Sequence, residues 1–309
     1  MNSARTLFAA LIDYAGLFPP AELQMRAAVP RYAAYRDGPH AWMLSRFVLP
    51  LAQVDEFEHW FDELPPAQRG APWSLTVLAG RSLEADVKKI VDFNRRHGDE
   101  GRRDAKIESL ELKAHSLDDI ARDVDVISEP SEVYFEIGLA TDPQEWIAAV
   151  AAAGGRAKVR TGGVSPEMFP GTAELARFLQ ACAAQQVPFK ATAGLHHALR
   201  SDHPLSGDQR RRPVAMHGFL NLLVAAALAC TDRVGVDLLA TVLDERDGAA
   251  FAFDQTGVAV HGRRLTVDDL ATTRRRFATS YGSCSLEEPI EDLERLGLIS
   301  PPEAAVDRR

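Results

Sequence analysis

The chain switches repeatedly between two hydrophobic periods, and the switching predicts its elements. Short runs in which apolar and polar positions alternate read as strands: residues 42–49 (WMLSRFVL), Trp73–Leu78, 107–113 and 133–139 (VYFEIGL). Between them, apolar residues recur at helical spacing over 54–64, 83–96, 117–127 and 143–153. The 83–96 segment ends in a basic turn that suits the helix dipole. Ser116 is placed to cap 117–127, and Gly154-Gly155 stops the alanine-rich 143–153 run. Upstream, Ser3 is placed to cap a helix over 4–12, and a short strand at Asp13 runs into a loop. Residues 22–35 are amphipathic apart from Pro30, which should kink or shorten that helix. Residues 98–105 read as a charged surface loop.

The stretch from 157 to 197 organises the rest. It reads AKVRTGG, then ELARFLQACAAQQ with helical spacing, then VPFKATAGLHH. A strand–helix–strand unit of this length requires a parallel sheet. Six or seven such units precede residue 200, which favours a closed eight-stranded barrel over an open sheet. No GxGxxG follows the first strand, so a dinucleotide-binding fold has no support. Beyond residue 197 the pattern loosens into a polar, mobile loop (201–212) and a helix apolar on nearly every side (214–229). A hairpin (251–260), a charged helix (Val267–Arg276), a short strand, a small-residue turn and a last helix complete the chain. The expected fold is α/β: one (β/α)8 TIM-type barrel over 1–309, with an insertion at 198–266 between strands seven and eight.

Composition narrows the function classes. At 309 residues and 46% apolar, the chain can build one large core, and no repeat or linker divides it. Its net charge of −9, with both signs well mixed, argues against nucleic acid, which calls for a basic footprint, and against an anionic membrane surface. The three cysteines (Cys182, Cys230, Cys284) are odd in number and lack CxxC spacing. Neither a disulfide framework nor a zinc–cysteine site is expected, and a reducing cytoplasm is the default compartment. The N-terminus lacks the apolar core of a signal peptide. The longest apolar run, 219–229, is broken by Asn221 and is too short to span a bilayer. No cofactor is implied, and whether the chain forms a homo-oligomer is left open.

Parallel strands are normally buried on both faces, so Lys158 and Lys190 inside two of them need a reason. In one reading each neutralises an interior carboxylate such as Glu136 or Glu111. In the other, one lysine forms a Schiff base with a carbonyl substrate, and the second ammonium depresses its pKa toward neutrality. His196 and His197 would point to opposite faces if still in a strand, and no HExxH spacing is present, so no metal is expected. Either histidine could still pair with Glu136, Glu111 or Asp13, but capping or substrate binding suits them better. His217 and Asn221, four apart on the apolar helix, read as internal hydrogen-bonders. Cys284 sits near a helix N-terminus, as a reactive thiol or a small turn residue. Asp13 is either a pocket carboxylate or a loop cap.

Four short pieces resemble the deoxyribose-phosphate aldolase family, in that family's order. AKVRTGG looks like its sixth-strand K-x-x-T-G motif, whose lysine forms the Schiff base. FKATAGL is similar to its seventh-strand K-A-S/T-x-G motif, VYFEIGLATDPQEW to its fifth strand, and SYGSCSLEEPIEDLERLG to its phosphate-holding eighth-strand turn. The resemblance spans about 133–298 and implies Lys158 as nucleophile, Lys190 as its pKa modulator, Glu136 holding the lysines and Glu111 as acid/base. Thr161, in the first of these motifs, and His196 are further candidates for substrate contact. Gly194 and the 282–285 turn (Gly282, Ser283, Ser285) would supply N–H groups to an anion at a helix N-terminus. Arg160 and Arg46 are candidates for a second anionic group. The family's fourth-strand aspartate has no clear counterpart, since Glu111 and Lys113 stand there, and Arg160 replaces a small residue. The expected function is a Schiff-base-forming, class I aldolase-like lyase on a small, anionic or phosphorylated carbonyl compound. Two alternatives are a metal-dependent lyase or hydrolase using His196 or His197 with Glu136, and a barrel that binds a small ligand without catalysis.

Overall fold

Alternation along each predicted strand sends one set of side chains outward to helices and the other inward, and this is what builds the site. The computed structural model describes residues 3–98, 102–205 and 213–301. Its elements begin with α1 (Ser3–Phe8), β1 (Ile12–Tyr14), α2 (Met25–Arg36), β2 (Leu44–Pro50), α3 (Val54–Asp62), α4 (Pro66–Arg69), β3 (Trp73–Leu78) and α5 (Leu83–His97). They continue with β4 (Ala105–Lys113), α6 (Leu117–Val126), β5 (Glu132–Ile137), α7 (Gln144–Ala152), β6 (Arg156–Arg160), α8 (Thr172–Gln185) and β7 (Phe189–Thr192). Then come β8 (Ser201–His203), β9 (Val214–Met216), α9 (Phe219–Thr231), α10 (Val236–Asp244), β10 (Ala252–Asp254), β11 (Gly257–Val260), β12 (Arg263–Thr266), α11 (Val267–Arg276), β13 (Ala278–Ser283) and α12 (Glu287–Arg295).

Strands β1 to β7 and β13 are all parallel and close into one eight-stranded barrel, with β13 between β7 and β1. The fold is therefore the α/β TIM-type barrel expected. Outward residues pack against the helices. Phe47 of β2 meets Phe57 of α3 at 5.6 Å, Phe189 of β7 meets Phe178 of α8 at 5.4 Å, and Tyr281 of β13 stacks on Phe219 of α9 at 5.4 Å. Trp73 anchors the largest aromatic cluster, 4.8 Å from Tyr32 and 5.0 Å from Phe61. With those positions outward, Lys158, Lys190, Glu136 and Ser280 must face in. Parallel pairing puts these four in one register row: Glu136 with Lys158, Lys158 with Lys190, Lys190 with Ser280.

Several local expectations change. The first helix ends at Phe8, and Ile12 belongs to β1. Ser3 is the first residue of α1 rather than the residue before it, and it donates its hydroxyl to the Asp254 carbonyl, tying α1 to the β10 region. Helix α2 continues through Pro30 to Arg36. Ser116 does cap α6, accepting from the Asp119 N–H at 3.1 Å. The start of the 214–229 run is not helical: Val214–Met216 pairs antiparallel with Ser201–His203. Of the 201–212 and 98–105 loops, residues 206–212 and 99–101 lie outside the described residues. The 251–260 hairpin is present and gains a third strand, β12. Within 198–266, α9 packs on α8, α11 and β13, where a barrel's own helix between strands seven and eight belongs. The additions around it are the β8–β9 ribbon, α10 and the three-stranded sheet. The three cysteines are free, and no described helix is long and apolar enough to cross a membrane.

Candidate active site

The inward row generates a continuous chain of charges through the barrel. Lys158 Nζ lies 2.6 Å from Glu111 Oε2 and 2.8 Å from Glu136 Oε2. Lys190 Nζ lies 2.7 Å from Glu111 Oε1 and pairs with Asp13 Oδ2. Glu111 thus gives one oxygen to each lysine. Glu136 turns its other oxygen to Arg160 Nε at 3.2 Å. At the far end, Asp13 Oδ2 also accepts from Ser280 Oγ at 2.8 Å, and Oδ1 accepts from the Arg46 backbone N–H at 3.2 Å. Three cations face three carboxylates, so the network is electrically neutral.

Its exposure grades from floor to mouth. The side chains of Asp13 and Lys190 are 0% and 2% exposed, Glu111 and Lys158 4% and 5%, Glu136 17% and Arg160 39%. Burial by itself would lower the pKa of Lys190, but the Asp13 and Glu111 carboxylates reverse that and hold it above the ordinary lysine value. The Tyr134 ring, 5.3 Å from Nζ, adds its negative face. Burial would raise the carboxylates; instead Lys190 with Lys158 holds Glu111 low, Lys190 with Arg46 holds Asp13 low, and Lys158 with Arg160 holds Glu136 low. The expected mutual discharge of two bare ammonium groups is therefore replaced. The lysines do meet, but across a shared carboxylate that stabilises charge on Lys190.

Above this floor is a cavity of about 340 Å³ at the C-terminal ends of the strands. Glu111, Lys158, Lys190 and Arg160 form its polar side. Phe18, Val48, Leu78, Met168 and Phe169 make an apolar wall, and Leu205 and Met216 flank the β8–β9 ribbon at its edge. A larger hollow of about 740 Å³, between α1 and the 247–255 and 295–298 segments, contains none of the lysine network.

Of the residues singled out in the sequence, Lys158, Lys190, Glu111, Arg160, Gly194, His196 and Gly282 line this cavity, and Glu136 supports it through Lys158 and Arg160. Arg46, Thr161, Ser283 and Ser285 neither line it nor support it through the lysine network. Arg46 is engaged nearer the N-terminal ends of the strands, with Glu132 at 2.9 Å and Glu108 at 3.1 Å. Thr161 is fully buried and donates to the Ala193 carbonyl at 2.5 Å, stapling the end of β6 to the end of β7. Ser283 donates to the Ser285 carbonyl at 2.7 Å. Ser285 Oγ accepts the Glu287 and Glu288 N–H groups at 3.1 and 3.3 Å, so these amides at the start of α12 already have a partner. Gly194 is needed for shape: its φ is +74°, and a Cβ there would lie 2.9 Å from Gly162 Cα.

The two histidines diverge. His196 Nδ1 lies 3.2 Å from Glu288 Oε2, and the ring also lies close to Cys284. Burial lowers its pKa, but Cys284 and Glu288 outweigh that and raise it to about 9. His197 instead reaches Asp292 at 3.2 Å and stacks on His203. Glu136 is occupied by Lys158 and Arg160, so the His–Glu136 pair imagined for a metal reaction is not assembled. His217 and Asn221 are internal hydrogen-bonders, bonding the Pro170 carbonyl at 2.7 Å and the Val242 carbonyl at 2.8 Å. Asp13 resolves as a buried carboxylate of the network. Its signal in sequence is faint, because a three-residue strand carries too little alternation to show which way it points.

No protein-family model, curated protein or solved structure matches this chain. The likeness to the aldolase family therefore rests on its four short motifs.

Proposed function

We propose that this protein is a Schiff-base-forming lyase acting on a small carbonyl compound with an anionic group. The supporting observation is the meeting of Lys158 and Lys190 on one carboxylate at the floor of a cavity on the C-terminal side of the barrel, where enzymes of this fold carry their chemistry. Lys158 is the nucleophile in this reading. Two of its three N–H groups go to Glu111 and Glu136, and it stands between the more deeply buried Asp13–Lys190 end and the open Arg160 end. Lys190 stays an ammonium and acts as the fixed charge beside Glu111.

The proton path is short. Glu111 takes a proton from Lys158 across 2.6 Å. The loss of that cation raises the affinity of Glu111 for the proton it has just gained. The free amine adds to the substrate carbonyl. The carbinolamine leaves its oxygen as water with the proton returned by Glu111, giving a protonated imine that withdraws electrons from the bond to be broken. Arg160, the most exposed cation of the network, faces the substrate's anionic group, and the apolar wall takes its carbon skeleton.

Borohydride trapping tests this. The protein is incubated with small aldehydes, keto acids and sugar phosphates, reduced, and read by intact and peptide mass. A stable adduct on Lys158, absent in Lys158→Ala, supports the reading. No adduct across the panel, with ligands still protecting the cavity from hydrogen exchange, would establish a binding protein instead.

A further inference from the structure

At the rim of the cavity, three side chains from separate segments converge without any role in the lysine network. His196 follows β7, Cys284 lies in the turn after β13, and Glu288 is in the first turn of α12. One ligand atom from each lies within 4.8 Å of the others. We propose that His196, Cys284 and Glu288 bind a divalent ion of borderline softness, Zn²⁺ above all.

The donor set decides the metal class. An imidazole nitrogen, a thiolate and a carboxylate suit Zn²⁺ or Co²⁺, whereas Mg²⁺ and Ca²⁺ require oxygen cages. Bonds of about 2.0–2.3 Å to a tetrahedral ion separate its ligands by roughly 3.3–3.8 Å. His196 and Glu288 are already 3.2 Å apart, so drawing the set together takes side-chain movements of about an ångström. Three protein ligands leave a fourth position. His196 and Cys284 both line the cavity, so that position opens into it. Glu288, with a half-exposed side chain, gives the ion a route from solvent. Asp292, one turn further along α12, adds negative charge. Binding expels the thiol proton and any imidazolium proton, so no further reactant is involved. The cysteine spacing gives no hint of this site, because its ligands come from three segments far apart in sequence.

The test uses the full-length protein, stripped with a chelator and titrated with Co²⁺. One equivalent should give a thiolate-to-cobalt charge-transfer band and strong tetrahedral d–d absorption, both erased by Zn²⁺. The charge-transfer band should vanish in Cys284→Ser and persist in Cys230→Ser. Glu288→Gln and His196→Gln should each weaken binding roughly tenfold or more. Zn²⁺ should also protect Cys284 of the unsubstituted protein from iodoacetamide, an arm that requires no variant to fold. Absence of the charge-transfer band in the unsubstituted protein, or its survival in Cys284→Ser, would overturn the proposal.

Discussion

Glu111→Gln is the substitution that most directly interrogates the charge network. It keeps shape and removes the one charge that both lysines share. The network then carries three cations against Asp13 and Glu136. At contacts of 2.6 and 2.7 Å, with an effective dielectric constant near 20, each lost attraction is on the order of 6 kcal/mol before solvation is counted. Much of that is offset, because the glutamine no longer has to be desolvated as an anion. Breaking one partner out of a buried ion network leaves a net cost of about 3–5 kcal/mol. The cheapest relief is loss of a proton from a lysine. A lysine whose folded pKa falls below its unfolded value of about 10.4 makes the unfolded state bind more protons, so stability rises with pH between those two values. The deficit of Glu111→Gln relative to the unsubstituted protein should therefore be largest near neutral pH and shrink toward about pH 10. Urea denaturation in steps between these limits, at constant ionic strength, measures it. A deficit below about 1 kcal/mol near neutrality, or one that does not change with pH, would refute the charge accounting.

Three further outcomes follow from the same contacts. Lys190→Met should destabilise by about 3–5 kcal/mol by stranding Asp13 and Glu111, and adding Asp13→Asn should recover part of that; denaturation of a double-mutant cycle would show no recovery if the two residues do not act together. The unsubstituted protein should lose stability as pH falls through the depressed pKa values of Asp13, Glu111 and Glu136, and as pH rises above about 10.4 through the raised pKa of Lys190. A thermal-unfolding midpoint that is flat at both ends would contradict this. Gly194→Ala, at φ +74° and 2.9 Å from Gly162 Cα, should cost about 1–3 kcal/mol and slow trapping at Lys158; unchanged stability and trapping would show that the wall yields freely.

What could be read in the sequence depended on strand length and on level along the barrel. Lys158 and Lys190 are flanked by outward Ala157, Val159, Phe189 and Ala191, so alternation alone turned them inward. The sequence placed them on adjacent strands but left open whether they meet; the structure brings them together across Glu111. Glu111 was among the interior carboxylates named as partners for the lysines, but its bridging of both was not legible, because its oxygens reach two lysines from a strand that neighbours neither β6 nor β7. Arg46, a candidate for the substrate's second anionic group, sits too early in β2 to reach the mouth and meets Glu132 at the first position of β5. Thr161 and Ser285 stand in motif positions, but their hydroxyls serve backbone groups, Thr161 across to the end of β7 and Ser285 within its own turn. Val214–Met216 merged with the apolar helix that follows it, and only pairing with Ser201–His203 separates the two.

The network's composition bears on why it exists. Apolar residues of similar volume can replace a buried ion network with little loss, and often with a gain in stability. Stability alone therefore gives no reason to keep six charged groups inside the barrel. A purely structural network would be expected to be sealed at both ends. This one is sealed at only one: Asp13 is shut in with Ser280, while Lys190, Glu111, Lys158 and Arg160 reach a cavity whose other wall is apolar. Burial enforces pairing at the floor, and the pairing in turn fixes the position and charge of every group up to the mouth. Lys158 is one of the points at which the fixed array meets space for another molecule. A neutral amine there would be flanked by the two acceptors able to receive its proton, Glu111 and Glu136, with a permanent cation one carboxylate away. Positions held this closely by their neighbours suit chemistry that depends on moving one proton over a single hydrogen bond.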